Sequence, residues 1–229
     1  MRGTVLYGPR DVRFEDRPTP RIEKPADAII RIAVTCVCGS DLWPYRGIQK
    51  VAQPVPMGHE YCGFVEEVGS AVRTVKPGQF VIGSFCISDN TCPNCKAGYQ
   101  SGCQNLEFMG TAQAPYVRVP WADGTLVPTP EIPSDDLLPS LLTTSDVFGT
   151  GWFAADAANV KPGSTVAVVG DGAVGLLVRR RQRAAQPEIP RRRIDHEPRR
   201  REIRRHQDRE EWRGGLPSQA IEIGAETLR

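Results

Sequence analysis

The stretch from residue 38 to residue 59 carries side chains that are well suited to bind a metal ion. Cys38 opens it, followed by glycine, serine and aspartate, and His59 closes it, followed directly by Glu60. A thiolate and an imidazole are ligand types that zinc prefers, and polar neighbours can orient ligands or transfer a proton. The two residues alone leave two interpretations open: a catalytic zinc site, or a buried thiol beside an unrelated turn histidine.

A second group of potential metal ligands lies in a loop rich in asparagine, glycine and serine. It contains Asp89, Cys92, Cys95 and Cys103, and Cys86 is close enough to be a rival for the fourth place. Three cysteines at these intervals in a polar loop are hard to explain by packing, so a bound zinc is favoured over free thiols or a redox role. A carboxylate can ligate zinc, although structural zinc sites seldom use one.

A glycine-rich turn follows the apolar residues 165–169, which are predicted to form a strand. Glycines stand at positions 170, 172 and 175 of this turn, directly after the apolar segment. In that context they allow a tight turn and a close approach to a pyrophosphate, and a helix N-terminus supplies amide donors. The pattern predicts binding of a dinucleotide at Gly170, Gly172, Ala173, Val174 and Gly175, and the alternative is an ordinary glycine-rich turn.

Short strands must position these side chains. Residues 4–7, 12–15, 28–34, 63–69, 80–83 and 116–119 have strand patterns, bounded by glycine and proline turns. Their spacing predicts a small barrel or sandwich. A helical stretch is expected to open at Asp135 and to continue, with a break, through Asp146 to Ala158. The fold class is therefore mainly β with some α.

The motifs in combination resemble those of the zinc-dependent medium-chain alcohol dehydrogenases, over roughly residues 1–177. Residues 58–63, followed by Gly69 and Val72, match the family's zinc signature, and residues 38–41 match it upstream. The resemblance implies a GroES-like β-barrel catalytic domain over residues 1–135, with a structural zinc lobe at about residues 86–104. It further implies a linking helix and the first strand and turn of a Rossmann cofactor domain over residues 136–177, so that this α/β domain is incomplete.

The resemblance also implies which residues bind the two zinc ions. Cys38, His59 and a third acidic or thiol ligand from further along the chain would hold the catalytic ion. Asp146 lies where bacterial members of the family often place an aspartate ligand, and the alternative for it is a helix N-cap. The family's structural lobe uses four cysteines, and here the first of those positions is Asp89.

The remaining residues near the catalytic motif receive roles from the same resemblance. Glu60 is expected to be either a fourth, exchangeable zinc ligand or a residue that contacts the ligands without binding the ion. Asp41 is expected to orient the site, and Ser40 to relay the alcohol proton to solvent. Cys36 and Cys62 carry no family role, so both are predicted to be buried thiols.

Residues 178–229 depart from the resemblance. Arginine dominates them, lysine is absent, and no apolar run could form a second parallel strand. Asp195 lies about twenty residues past the glycines, where a ribose-binding acid is expected, but no strand precedes it. We expect an Arg-rich, disordered tail and hypothesise a frame-shifted reading of a GC-rich gene. The alternative is a natural basic tail that binds nucleic acid nonspecifically, with Trp212 as its one aromatic residue.

Length and composition limit the compartment and the partners. The 229 residues suffice for one large domain or two small ones. The N-terminus lacks the apolar segment of a signal peptide, and no apolar run reaches membrane-spanning length. The seven cysteines suit metal ligands or buried thiols rather than disulfides. We therefore expect a cytoplasmic protein without a membrane partner and without a nucleic-acid partner.

The resemblance implies hydride transfer between an alcohol, or an aldehyde or ketone, and NAD or NADP. It also implies a homo-oligomer for the full-length family. We expect this chain itself to be inactive, because its first Rossmann strand has no visible parallel neighbours. The alternatives are a noncatalytic zinc-binding remnant and a basic nucleic-acid-binding protein.

Overall fold

The computed structural model describes the backbone of residues 1–184 and the side chains of residues 1–179. The chain divides into one unit, Met1–Gly149, and a second unit that begins at Thr150. The strands of the described part are β1 (Arg2–Gly8), β2 (Asp11–Asp16), β3 (Ala28–Thr35), β4 (Val55–Pro56), β5 (Tyr61–Val68), β6 (Phe80–Gly83), β7 (Cys86–Ile87), β8 (Glu107–Phe108), β9 (Tyr116–Val119) and β10 (Leu126–Pro128).

Helices in the described part are short, except for the two at its C-terminal end. They are α1 (Leu42–Tyr45), α2 (Pro93–Lys96), α3 (Ala122–Thr125), α4 (Leu138–Leu142), α5 (Val147–Ala157) and α6 (Ala173–Ala184). Single 3₁₀ turns lie at Gly39–Asp41, Gln100–Gly102, Asp135–Leu137 and Thr143–Ser145. The strands predicted between residues 4 and 119 and the broken helical stretch are thus confirmed, and the fold class is mainly β with some α.

A five-stranded antiparallel sheet in the order β10-β6-β5-β3-β9 is the centre of the first unit. Successive side chains of a strand point to opposite faces, and one face of this sheet covers the core. Fully buried side chains on it include Ala28 and Ile30 of β3 and Val117 and Val119 of β9. The alternating apolar positions of the sequence therefore form this core.

The pairing of β3 with β5 brings two distant segments of the chain together. Thr35, the last residue of β3, lies opposite Tyr61, the first residue of β5. Cys38 follows the end of β3 and His59 precedes the start of β5, so both emerge at the same end of the sheet. The hydroxyl of Thr35 donates to the carbonyl of Glu60 at 2.7 Å, which fastens the two segments there.

The smaller sheet β2-β1-β4 leads the chain into the same region. Val55 and Pro56 of β4 pair with β1, and Gly58 follows with φ of +97°. A Cβ at position 58 would collide with the backbone nitrogen of Gln113, so glycine is needed both for the conformation and for the close approach. His59 is held in place by this contact.

The second unit departs from the sequence-based prediction at residues 165–169, which are not a strand. A strand needs a hydrogen-bonding neighbour, and no described residue pairs with this segment. Val169 is 80% exposed as a result. The helix α6 continues to Ala184, past the expected boundary at residue 177, and Val178 within it is buried.

The rest of the Arg-rich tail, including Asp195 and Trp212, lies outside the described residues. Among residues 1–184, no helix has both the length and the apolar character needed to span a membrane.

The close contact of β5 with β3 gives a test of the sheet. A Cβ at Gly63 would collide with the carbonyl oxygen of Arg31, whereas a Cβ at Gly8 would meet open space. We expect Gly63→Ala to lower the free energy of unfolding by about 1–3 kcal/mol through overpacking. Gly8→Ala, the matched control, should change it little. Urea unfolding of both variants measures this, and equal stabilities would contradict the β3–β5 packing.

Candidate functional site

Four potential metal ligands converge where the first unit brings its loops together. They are Cys38, His59, Glu60 and Asp146, and one ligand atom of each lies within 4.8 Å of the others. Oδ2 of Asp146 is 3.4 Å from Nε2 of His59 and 4.0 Å from Sγ of Cys38. A tetrahedral zinc ion with bonds of about 2.0–2.3 Å separates its ligand atoms by roughly 3.3–3.8 Å. The cluster therefore has the size and the donor types that suit zinc.

Asp41 links two members of this cluster. Its Oδ2 accepts the backbone N–H of Cys38 at 2.9 Å, which closes the 3₁₀ turn that follows the cysteine. Its Oδ1 lies 3.5 Å from Nδ1 of His59. Because Nδ1 faces Asp41, the other ring nitrogen is left to face Asp146 and the thiol. This geometry is the one expected of an orienting carboxylate.

Ser40 lies beside the same imidazole. Its Oγ is 3.4 Å from Nε2 of His59, and the serine is exposed to solvent. A hydroxyl can accept one proton while it donates another. Its position between the histidine and solvent is what a proton relay needs.

The electrostatics of the cluster favour a bound cation. The carboxylate of Asp146, followed by Asp41 and the thiol of Cys38, raises the pKa of His59 to about 12. Burial raises the pKa of the Glu60 carboxyl. Negative donors therefore surround the imidazole, and a proton or a metal ion can compensate them. Metal binding must displace that proton.

The second cluster is buried and consists of Asp89, Cys92, Cys95 and Cys103, whose ligand atoms also lie within 4.8 Å of one another. Sγ of Cys92 is 4.0 Å from Sγ of Cys103, far longer than a disulfide bond, and all seven cysteines are free. The geometry thus brings Asp89 to the three thiols, and Cys86, though buried, is not part of the set.

Backbone amides point at the sulfurs of this cluster. Cys92 accepts the N–H groups of Cys95 and Gln104, both at 3.5 Å. Cys103 accepts the N–H groups of Asp89 and Asn105, at 3.4 and 3.3 Å. Such bonds favour the thiolate, and the Gln104 amide in particular lowers the pKa of Cys92. Thiolate is the form that binds zinc.

The carboxylate of Asp89 is fixed by three hydrogen bonds. Oδ1 accepts the N–H groups of Thr91 and Cys92 at 2.8 and 3.0 Å, and Oδ2 accepts the amide of Asn105 at 2.7 Å. These bonds, that of Thr91 first, hold its pKa well below the usual range. Each carboxylate oxygen has two lone pairs, so Oδ2 is the oxygen with one left for a metal ion.

Of the cysteines outside the two clusters, Cys62 and Cys86 are buried and Cys36 is half-buried. Burial raises the pKa of Cys36 to about 12 and that of Cys62 to about 11. Neither belongs to a ligand cluster in the described part of the chain. The buried thiol predicted from the sequence is thus found at Cys62, whereas Cys36 remains partly exposed.

Two aromatic residues at the first cluster were not singled out from the sequence. Phe85 meets His59 edge-on, with ring centroids 6.4 Å apart. Phe108 stacks on Phe85 at 6.2 Å and is 66% exposed. The pairing of β7 with β8 brings the two phenylalanines together. Because this contact joins two separate stretches of the chain, no local pattern in the sequence marks it.

The glycine turn has its predicted shape, although no strand precedes it. Gly170 has φ of +106°, and α6 begins at Ala173 and continues with Val174. A Cβ at Gly175 would collide with the carbonyl of Gly170, and a Cβ at Gly172 would meet open space. The turn therefore offers a helix N-terminus and free backbone surface, which suit a pyrophosphate.

Comparison with known proteins gives a consistent result. Residues 24–131 match the family described as "Alcohol dehydrogenase GroES-like domain". A zinc-type alcohol dehydrogenase B of Aspergillus flavus is 38% identical over 187 residues, which is 77% of this chain and 43% of that protein.

Solved structures are similar as well. The alcohol dehydrogenase TADH of Thermus sp. ATN1 superposes with a TM-score of 0.75 and 29% identity, over 83% of this chain and 59% of that one. A zinc-binding dehydrogenase of Sinorhizobium meliloti, solved bound to NADP, superposes with a TM-score of 0.64 and 30% identity, over 81% of this chain and 53% of that one. The chain thus spans about half the length of these relatives.

Loss of a ligand from the second cluster gives a test of metal binding. We expect Cys95→Ser to release one zinc ion per chain and to destabilise the fold, because a structural site couples binding to folding. Cys62→Ala, which removes a buried thiol outside both clusters, should keep the full metal content. Metal analysis and thermal melting measure this. Unchanged metal content and melting in Cys95→Ser would contradict the site.

The raised pKa of His59 gives a pH test of the first cluster. The metal-free imidazole is protonated throughout the neutral range, so each zinc ion must displace its proton. Zinc affinity should therefore fall about tenfold per unit of acidification for each proton displaced. Calorimetry in buffers of different ionisation enthalpy counts the protons. An affinity that is constant from pH 8 to pH 6 would contradict His59 as a ligand.

Proposed function

Because the chain belongs to the zinc-dependent medium-chain alcohol dehydrogenase family, we propose that its first unit is the catalytic part of an enzyme that transfers hydride between an alcohol and NAD or NADP. The observation that carries this proposal is the convergence of Cys38, His59, Glu60 and Asp146, with Ser40 in contact with the histidine. In the reverse reaction, the substrate is an aldehyde or a ketone.

The ligand set fits a catalytic rather than a closed centre. Cys38, His59 and Asp146 are three donors, and Glu60 is a fourth that an incoming substrate can replace. A bound zinc ion would polarise the substrate oxygen, and a nicotinamide would accept the hydride. Three fixed protein ligands and one exchangeable position are the usual composition of catalytic zinc sites.

The chain's own residues supply proton transfer and an apolar boundary. Ser40 accepts the alcohol proton and passes a proton to solvent, while Asp41 keeps the imidazole of His59 in its orientation. Phe85 meets that imidazole edge-on, and Phe108 stacks on the far side of Phe85, so the two rings add apolar surface beside the site. An alcohol with an apolar substituent suits this boundary.

Cofactor binding is proposed for the turn of residues 170–175, with NAD and NADP both open. For the 229-residue chain we propose weak nicotinamide binding and little turnover. The reason is that residues 165–169, which lead into the turn, pair with no strand among the described residues. Poor positioning of cofactor against substrate can forfeit much of the roughly 7–11 kcal/mol that orientation contributes to catalysis. Cytoplasmic location and homo-oligomeric assembly remain predictions.

A noncatalytic zinc-binding protein is the second candidate. Two ligand clusters are complete within the first unit, whereas the segment before the cofactor turn is unpaired. Zinc binding without nicotinamide binding would be the result of this combination. Nicotinamide titration separates the two candidates.

The test uses the zinc-loaded chain and a chimera in which the part of the Thermus alcohol dehydrogenase that follows the matched region is joined after residue 177. We expect the chain to bind NADH weakly, as measured by NADH fluorescence, and to oxidise little alcohol. The chimera should oxidise alcohol in a zinc-dependent manner. In the chimera, His59→Ala should abolish turnover, and Ser40→Ala should lower it about 10²–10⁴-fold with zinc retained.

Ser101→Ala, which removes an exposed hydroxyl from the Gln100–Gly102 turn, is the matched control and should leave turnover unchanged. Ordinary turnover by the chain alone would contradict the proposed inactivity. A chimera that binds cofactor and zinc but oxidises no alcohol would contradict the catalytic assignment.

A further inference from the structure

Ser145 occupies the position directly before the Asp146 carboxylate. It is the last residue of the Thr143–Ser145 turn and is only 3% exposed, whereas Thr144 beside it is exposed. At Asp146 the backbone leaves the helical region, with φ of −147° and ψ of −74°, before α5 begins. Whatever holds Ser145 therefore also sets where the carboxylate lies.

The hydroxyl of Ser145 is tied to two strands. It accepts the backbone N–H of Tyr61 in β5 at 3.1 Å and donates to the backbone carbonyl of Gly83 in β6. Tyr61 and Gly83 are direct partners in the register of these strands. The hydroxyl thus stands between a donor on one strand and an acceptor on the other.

A third bond comes from the backbone. The N–H of Phe85, just beyond β6, donates to the carbonyl of Ser145 at 3.4 Å. Phe85 is the residue whose ring meets His59. All three bonds therefore run to the strand ends that carry the site.

These bonds connect Asp146 to ligands that are far away in the sequence. Tyr61 directly follows Glu60 and His59, so a bond at its amide fixes the carboxylate relative to both. Oδ2 of Asp146 is 3.4 Å from Nε2 of His59 in this arrangement.

We propose that Ser145 is a positioning residue, which holds the Asp146 carboxylate at the distance from His59 that zinc coordination requires. This inference rests on the proposed function, because Ser145 acts through Asp146 as a ligand. A hydroxyl is needed, since it is both a donor and an acceptor. Alanine would leave the amide of Tyr61 and the carbonyl of Gly83 without this partner, and the turn would lose two of its three hydrogen bonds to the strands.

The test compares four variants of the full chain: Ser145→Ala, Ser145→Thr, Asp146→Asn and Thr144→Ala. Thr144 is the matched control, because its exposed hydroxyl donates to the carbonyl of Leu141 in its own helical segment. Zinc affinity is measured by chelator competition, and the ligand geometry by the visible absorption of the cobalt-substituted protein. The second cluster is the same in every variant, so its bands cancel in difference spectra.

We expect Ser145→Ala to shift the cobalt bands in the same direction as Asp146→Asn and to weaken zinc binding about 10–100-fold, as for other residues behind metal ligands. Ser145→Thr should restore the wild-type bands, and Thr144→Ala should match the wild type. If Ser145→Ala does not fold, Ser145→Cys, which hydrogen-bonds weakly, is measured in the same two ways and should give a partial shift.

A Ser145→Ala chain that melts earlier but keeps the wild-type cobalt bands and zinc affinity would overturn the inference, since the role would then be structural only. If Asp146→Asn changes the cobalt bands and the zinc affinity and Ser145→Ala changes neither, the inference alone fails. If neither responds, Asp146 is not a ligand, and the inference fails together with that part of the proposed function.

Discussion

The antiparallel pairing of β3 with β5 is the constraint on which the first cluster of potential metal ligands depends. Thr35 opposite Tyr61 places the chain after β3 beside the chain before β5, and the cysteine and the histidine lie in those two segments. The Thr35 hydroxyl on the Glu60 carbonyl adds a bond at the same end. The ends of two paired strands thereby bring side chains that are far apart in the sequence within coordination distance of one another.

The two clusters stabilise buried negative charge in different ways. In the first, Asp146 and Asp41 share one imidazole, which raises the pKa of His59 to about 12 and leaves the site able to exchange a proton for a metal. In the second, backbone amides lower the pKa of two members, that of Cys92 through the Gln104 amide and that of Asp89 through the Thr91 amide. A site stabilised by its backbone suits a permanent ion, and a site built from side chains suits exchange.

Much of this could be predicted from the sequence, because strand patterns and ligand motifs are local. The strands around Cys38 and His59, the helix break at Asp146 and the three cysteines of the lobe all follow from short stretches. The choice of Asp89 over Cys86 could not be predicted, since both are near enough along the chain. Ser145 was missed because its bonds span 84 and 62 residues, and no local pattern marks them.

The incorrect prediction of a strand at residues 165–169 has a different physical cause. Apolar composition indicates that a segment can be a strand, but the strand forms only where a neighbour satisfies its backbone groups. The glycine turn that follows keeps its shape without that neighbour, because the positive φ of Gly170 and its contact with Gly175 are local. The site in the first unit, in contrast, is fixed by strands that pair with one another. The proposed zinc site and the proposed nicotinamide site therefore depend on separate sets of contacts, and one can be present without the other.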